Sequence, residues 1–147
     1  MRRGTPDDAA ALAALEARTF AHDRISRRGF RRFAQGGNVL LVAVEAGGRI
    51  AGYALLLLRR NSRRGRLYAL ARDGDAPPGT GRLLLLAVLD EARGRGLRGI
   101  GLEVRPDNLP ARRLYEGLGF APLDVVPGYY EDGAAALRMR LDLEEGA

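Results

Sequence analysis

Glu103, Asn108 and Tyr115 are the residues whose types and spacing suit proton transfer. They lie in Leu102-Glu103-Val104-Arg105-Pro106-Asp107-Asn108 and in Ala111-Arg112-Arg113-Leu114-Tyr115. Ile100, Leu102 and Val104 alternate with Gly101, Glu103 and Arg105. This alternation reads as a strand over Arg98–Arg105, with Glu103 on the face opposite the aliphatic residues. A carboxylate there can take a proton from an ammonium, directly or through water. A lone glutamate at such a position also reads simply as a solvent-facing strand residue. Asn108 precedes the helical stretch Pro110–Leu118 and reads as its N-cap, a role compatible with holding a ligand. Tyr115 lies on the stripe Ala111, Leu114, Tyr115, Leu118, the spacing of core packing. A phenol whose hydroxyl reaches a cleft can nevertheless give a proton to a leaving thiolate.

A second group suits an anion. Gly79-Thr80-Gly81-Arg82 opens a strong helical pattern, Thr80–Arg95, that Gly96 stops. Free N–H groups and the positive end of the helix dipole point at whatever lies in front of such a start. Glycine allows close approach, and Arg82 can add a charged contact, so the stretch can cradle a phosphate. A tight turn is the equal alternative. Tyr129 and Tyr130, in Pro127–Gly133, read either as the wall of a pocket or as part of a turn closed by Asp132-Gly133. The chain has no cysteine and one histidine, His22, in a loop between helices, where it reads as a surface residue. Thiolate catalysis and Cys-ligated zinc are excluded, and the scattered carboxylates show no metal-site spacing.

The elements that must position these residues follow from periodicity. Thr5, Pro6, Asp7 and Asp8 open a helix over Ala9–Arg18, and Ser26 caps a second through Phe30 and Phe33. Strands are expected at Val39–Glu45, Arg49–Arg60, Arg66–Arg72, Arg98–Arg105, Phe120–Val126 and Ala134–Leu143, with a Gly47-Gly48 hairpin. Hairpins first and strand–helix–strand crossings later imply a mixed sheet with helices on both faces. A chain of 147 residues is the size of one domain, residues 1–147.

In this order the segment Arg66–Phe120 resembles the GNAT superfamily of N-acetyltransferases. The resemblance rests on Leu67-Tyr68-Ala69-Leu70-Ala71, Gly79-x-Gly81, Leu102-Glu103-Val104, Asn108-x-x-Ala111-x-x-x-Tyr115 and Gly119-Phe120. Leu-Glu-Val-Arg-x-x-Asn and the paired Tyr129 and Tyr130 are similar to the ribosomal-protein alanine N-acetyltransferases. The resemblance implies an α/β fold of α+β mixed type: a central, mostly antiparallel sheet splayed between strands 4 and 5 and flanked by about four helices. It implies acetyl-CoA as acyl donor and no metal. Backbone groups of Leu70, Ala71 and Arg72 would pair with the pantetheine arm. Gly79, Thr80, Gly81 and Arg82 would hold the pyrophosphate, and Asn108 would contact the arm. Glu103 would be the general base and Tyr115 the general acid, with direct attack by the amine. Tyr129 and Tyr130 would line the acceptor site.

The phosphate loop departs from the family pattern. Ala76 stands at its first position, Pro77 and Pro78 remove two donors, and Asp73 and Asp75 add negative charge. Weakened acetyl-CoA binding is expected, and a non-catalytic acyl-CoA-binding module is the alternative. The expected acceptor is a primary amine, such as a protein N-terminus or a small-molecule amine. All 24 basic residues are arginine and the net charge is +6, which favours anionic partners. The Arg pairs are scattered, however, and read as solvated faces, so nucleic acid is not an expected partner. No apolar run approaches the roughly 20 residues of a membrane span, and no leader pattern follows Arg2-Arg3. The expectation is a cytoplasmic monomer or homodimer.

Overall fold

The apolar runs become the centre of a seven-stranded sheet. The computed structural model describes residues 1–20 and 24–143. His22 lies outside them. The elements are β1 (Arg2–Arg3), a 3-10 turn (Pro6–Asp8), α1 (Ala9–Thr19), α2 (Arg27–Gln35), β2 (Val39–Ala46), β3 (Arg49–Leu58) and β4 (Arg64–Arg72). They continue with α3 (Thr80–Gly94), β5 (Gly99–Val104), α4 (Leu109–Gly117), β6 (Ala121–Val126) and β7 (Ala136–Asp142). The strand order is β1-β2-β3-β4-β5-β7-β6. Only β4 and β5 run parallel. The expected architecture is therefore the one that forms. β3 ends two residues earlier than its apolar pattern suggests, because the chain turns at Arg59, where Ser62 N–H donates to the Arg59 carbonyl.

β2 and β3 read as continuous apolar runs because both faces are covered. Leu40, Val42 and Val44 pack with Leu84, Leu85, Val88 and Tyr115 of α3 and α4. Leu41 and Ala43 pack with Leu12, Leu15 and Phe30 of α1 and α2. Gly47 and Gly48 have φ of 61° and 79°, the left-handed pair that a two-residue hairpin needs. At the N-terminus Thr5 holds the N-cap position, as expected, and Asp8 completes a capping box: its carboxylate accepts the Thr5 N–H at 2.7 Å and pairs with Arg2 at 2.8 Å. The Arg2 hydrogen bond holds the Asp8 carboxyl down at about 2.

The pairing of β4 with β5 stops early. It runs from Arg64↔Gly99 to Leu67↔Leu102. Next along β4 comes Tyr68, the extra residue of a bulge between Leu55↔Ala69 and Leu56↔Leu67. Beyond it β4 follows β3 as far as Arg72, while β5 follows β7 to Val104. The two strands part, and a cleft opens between them.

Below the far end of β4 the packing is tight. A Cβ on Gly52 would sit 2.9 Å from the Ala71 carbonyl oxygen and 3.0 Å from Leu84. Gly52→Ala is expected to cost about 1–3 kcal/mol, read as a lowered Tm. Gly37→Ala, with open space around the new methyl, serves as the control and leaves Tm in place.

Candidate active site

Two cavities meet in the cleft. One, of about 600 Å³, is lined by Glu16, Ile25, Arg66, Tyr68, Glu103 and Tyr129, among others. The second, of about 920 Å³, runs along Leu70, Ala71, Arg72, Gly79, Gly81 and Arg82. Phe20, Leu70, Asn108, Ala111 and Tyr115 line both. The opening is thus continuous from the Gly-x-Gly turn, through the gap between β4 and β5, to Glu103.

Glu103 is the first residue of β5 past the last β4 partner, Leu102. Its side chain is 16% exposed. Arg66 Nε donates to Glu103 Oε2 at 3.0 Å, and the same guanidinium donates to the Tyr129 hydroxyl. Glu103 Oε1 has no hydrogen-bond partner among the described residues and remains available to a proton. Tyr129 and Tyr130 meet edge to face at 4.9 Å. Arg105 lies over the Tyr130 ring at 4.1 Å and pairs with Asp132 at 2.9 Å. The Asp132 carboxylate is therefore engaged by Arg105 rather than presented to a cation.

Tyr115 is 7% exposed, between the two cavities. Burial, with the neighbouring Tyr130 adding to it, pushes its phenol well above the ordinary range, so the hydroxyl keeps its proton. Asn108 does cap α4: its Oδ1 accepts the Ala111 N–H at 3.3 Å, and the residue faces both cavities.

The phosphate loop has its own geometry. Gly79 adopts φ 86°, ψ 1°, and Thr80 N–H donates to the Pro77 carbonyl. Pro77-Pro78-Gly79-Thr80 is therefore a type II turn, with proline and glycine at the positions that turn favours. The Thr80 hydroxyl also donates to Pro77, at 2.6 Å, so both its polar groups are turned into the loop. Thr80 is absent from the lining of the cavity, whereas Gly79, Gly81 and Arg82 are present. The N–H groups of Gly81 and Arg82 have no acceptor among the described residues. They are the orphan donors of the helix start. Nor is Asp73 a bare negative charge: Arg18 pairs with it at 3.1 Å and Arg49 at 3.4 Å. Burial works to raise its carboxyl, but the Arg18 hydrogen bond and charge prevail and hold it below its ordinary value.

Residues 9–120 match the model of the acetyltransferase (GNAT) family. The chain belongs to this family. Acetyl-CoA is the acyl donor of this family. The structure of the ribosomal-protein-S18-alanine N-acetyltransferase from Escherichia coli superposes with a TM-score of 0.87 at 30% identity, covering 99% of this chain and 94% of that one. The [ribosomal protein bS18]-alanine N-acetyltransferase of Salmonella typhimurium is 35% identical over 65% of this chain and 64% of its own length. A mycothiol acetyltransferase from Clavibacter michiganensis is 36% identical over 82% of this chain but only 42% of its own length. The chain thus spans less than two thirds of these curated relatives. Among the described residues there is no carboxylate or histidine cluster able to hold a metal ion, and no helix long and apolar enough to cross a membrane.

One group in this GNAT site has no counterpart in the sequence pattern. Glu16, on the inner face of α1, is 2% exposed and lines the cavity that holds Glu103. Its Oε1 accepts the Ile25 N–H at 2.8 Å, joining α1 to the start of α2. Its Oε2 and the Tyr53 hydroxyl, both buried, influence each other electrostatically but have no hydrogen-bond partner among the described residues. Burial raises the Glu16 carboxyl above its ordinary 4.5. A raised acid supports the fold fully below its unfolded pKa and loses that support as pH rises through the folded value. Stability should therefore fall as pH climbs from 4.5 through that raised value. Glu16→Gln, which keeps an acceptor for Ile25, should flatten that fall and be at least as stable at pH 7. Thermal unfolding across this range decides it; a Gln variant markedly weaker than wild type at neutral pH would show that the ionised carboxylate is needed.

Proposed function

We propose that this chain moves the acetyl group of acetyl-CoA to a protein N-terminal α-amine, with Glu103 as general base and Tyr115 as general acid. The observation that carries the proposal is the single cleft with Glu103 at one end, the Gly-x-Gly turn at the other and Tyr115 between. The acyl donor supplies a thioester carbonyl. The chain's part is to hold it and to move protons. In this reading Gly79, Gly81 and Arg82 take the pyrophosphate, and Thr80 fixes the turn that presents them. Leu70, Ala71 and Arg72 run beside the pantetheine arm, where β4 has lost its neighbour, and Asn108 contacts that arm. Glu103 Oε1 takes the proton of the amine, directly or through water. Tyr115, kept protonated by its burial, gives a proton to the departing thiolate. Tyr129 and Tyr130 wall the acceptor end, held there by Arg66 and Arg105.

An α-amine, with a pKa of roughly 8, is partly neutral at physiological pH, so a single carboxylate oxygen suffices as base. The relatives named for alanine N-termini, one at TM-score 0.87, support this acceptor. The relative named mycothiol acetyltransferase favours a second reading, a small-molecule amine. Rates with an alanine-initiated peptide against a small primary amine, at equal concentration, separate the two.

Calorimetric titration with acetyl-CoA should give saturable binding in roughly the micromolar range. Glu103→Gln should lower kcat/KM for the acceptor by about 10²-fold or more at neutral pH. Full activity of this variant across the pH range would remove Glu103 as base. Tyr115→Phe should lower kcat while leaving acetyl-CoA affinity within about threefold; equal turnover would take the phenol out of the reaction.

A further inference from the structure

The fold concentrates the arginines that the sequence scatters. Between Arg24 and Arg72 there are twelve arginines and one acidic residue, Glu45, which is paired with Arg2. This stretch forms α2, β2, β3 and β4. Within it Arg49, Arg64 and Arg66 pair with carboxylates from elsewhere in the chain. Arg27, Arg28, Arg31 and Arg32 of α2 are exposed and have no acidic partner among the described residues. The same holds for Arg59, Arg60 and Arg63 in the turn between β3 and β4.

The two groups adjoin each other and the cleft. Leu58 N–H donates to the Asn38 carbonyl at 2.8 Å, so the β3–β4 turn leaves the sheet beside the end of α2. The Phe33 ring of α2 lies 5.6 Å from that of Tyr68, which lines the cavity holding Glu103. Ile25, just before α2, lines the same cavity. Seven like charges without counter-charges among the described residues create a strong positive potential on α2 and the adjoining turn, the elements that border that cavity through Ile25, Phe33 and Tyr68. The cofactor's phosphates do not account for it. The Gly-x-Gly turn follows the far end of β4, and Arg64 to Arg72 spans roughly 25 Å at about 3.3 Å per residue. That is well beyond a Debye length of about 8 Å.

We propose that this basic face docks an acidic stretch of the acceptor polypeptide, so that the preferred substrate is an N-terminus followed by several Asp or Glu residues. The proposal rests on the reading of the acceptor as a protein α-amine. A peptide is favoured over nucleic acid because the face is continuous with the cavity of Glu103, where an aliphatic amine must enter, and an extended chain leaving that cavity runs out across it.

The test uses two decapeptides that share an Ala-initiated N-terminus, one continuing in Asp and Glu, the other in Lys and Arg. The acidic peptide should have a KM about tenfold lower or more, with the gap shrinking as sodium chloride is raised. Arg59→Glu/Arg60→Glu/Arg63→Glu should reverse the preference. Arg28→Glu/Arg32→Glu, on the other element, should do the same independently. The acetyl-CoA Kd of each variant, by calorimetry, reports that it is folded. Equal KM for both peptides, or a preference that survives in both folded variants, overturns the proposal while leaving the N-terminal reading intact. Acetylation of a small amine with neither peptide touched overturns that reading, and the proposal with it. Tighter binding of an RNA duplex than of the acidic peptide, lost in the same variants, assigns the face to nucleic acid instead.

Discussion

Two parallel strands that stop pairing part-way govern the rest of this molecule. Past Leu67 and Leu102 the facing edges of β4 and β5 have no sheet partner in each other, and buried backbone groups do not stay unpaired without cost. The bulge at Tyr68 turns β4 away at that point. The gap leaves the far half of β4 open on that side, with room for an extended chain in place of a strand. The same parting leaves Glu103 at the lip of the gap, lets Tyr115 and Asn108 approach it from α4, and ends β4 where the turn into α3 begins. One interrupted ladder thus places every residue proposed to act.

The electrostatics of the cleft are arranged around it in pairs that cross the gap. Arg66 of β4 reaches Glu103 of β5 and Tyr129 of the loop before β7. Arg105, at the end of β5, stacks on Tyr130 and holds Asp132. Each arginine fixes a tyrosine and pairs with a carboxylate, so this wall of the cleft is braced and its charges are paired in the partly buried space. At the other end, Arg18 and Arg49 neutralise Asp73, and the phosphate loop is not the acidic hazard that its composition suggests.

What could be read in the sequence was local. The Gly79 and Gly96 boundaries of α3, the alternation around Glu103 and the two-sided burial of β2 all follow from periods of 3.6 and 2 and from glycine's conformational range. The pattern also grouped Gly79, Gly81, Asn108 and Tyr115, all of which line the two joined cavities. It placed Thr80 with them, whereas both polar groups of Thr80 turn into the type II turn, because the pattern does not say which way a hydroxyl points. The Arg66–Glu103 pair, 37 residues apart, and the Arg18–Asp73 pair, 55 apart, depend on tertiary placement that no periodicity encodes. Glu16 was hidden because a glutamate on a short helix reads as surface; here α1 turns it inward against Tyr53.

The proline turn at the phosphate loop has a further consequence. Pro77 and Pro78 have fixed φ, and Gly79 is held by the bonds that close the turn. Such a loop has little backbone entropy left to lose, which makes this end of the cleft a preorganised turn rather than a closing lid. The far end of the cleft, lined by Ile25, Tyr129 and Tyr130, is built from other segments of the chain and shares none of these turn bonds. The two ends of the cleft are thus fixed by separate sets of bonds, and a substitution at one need not disturb the other.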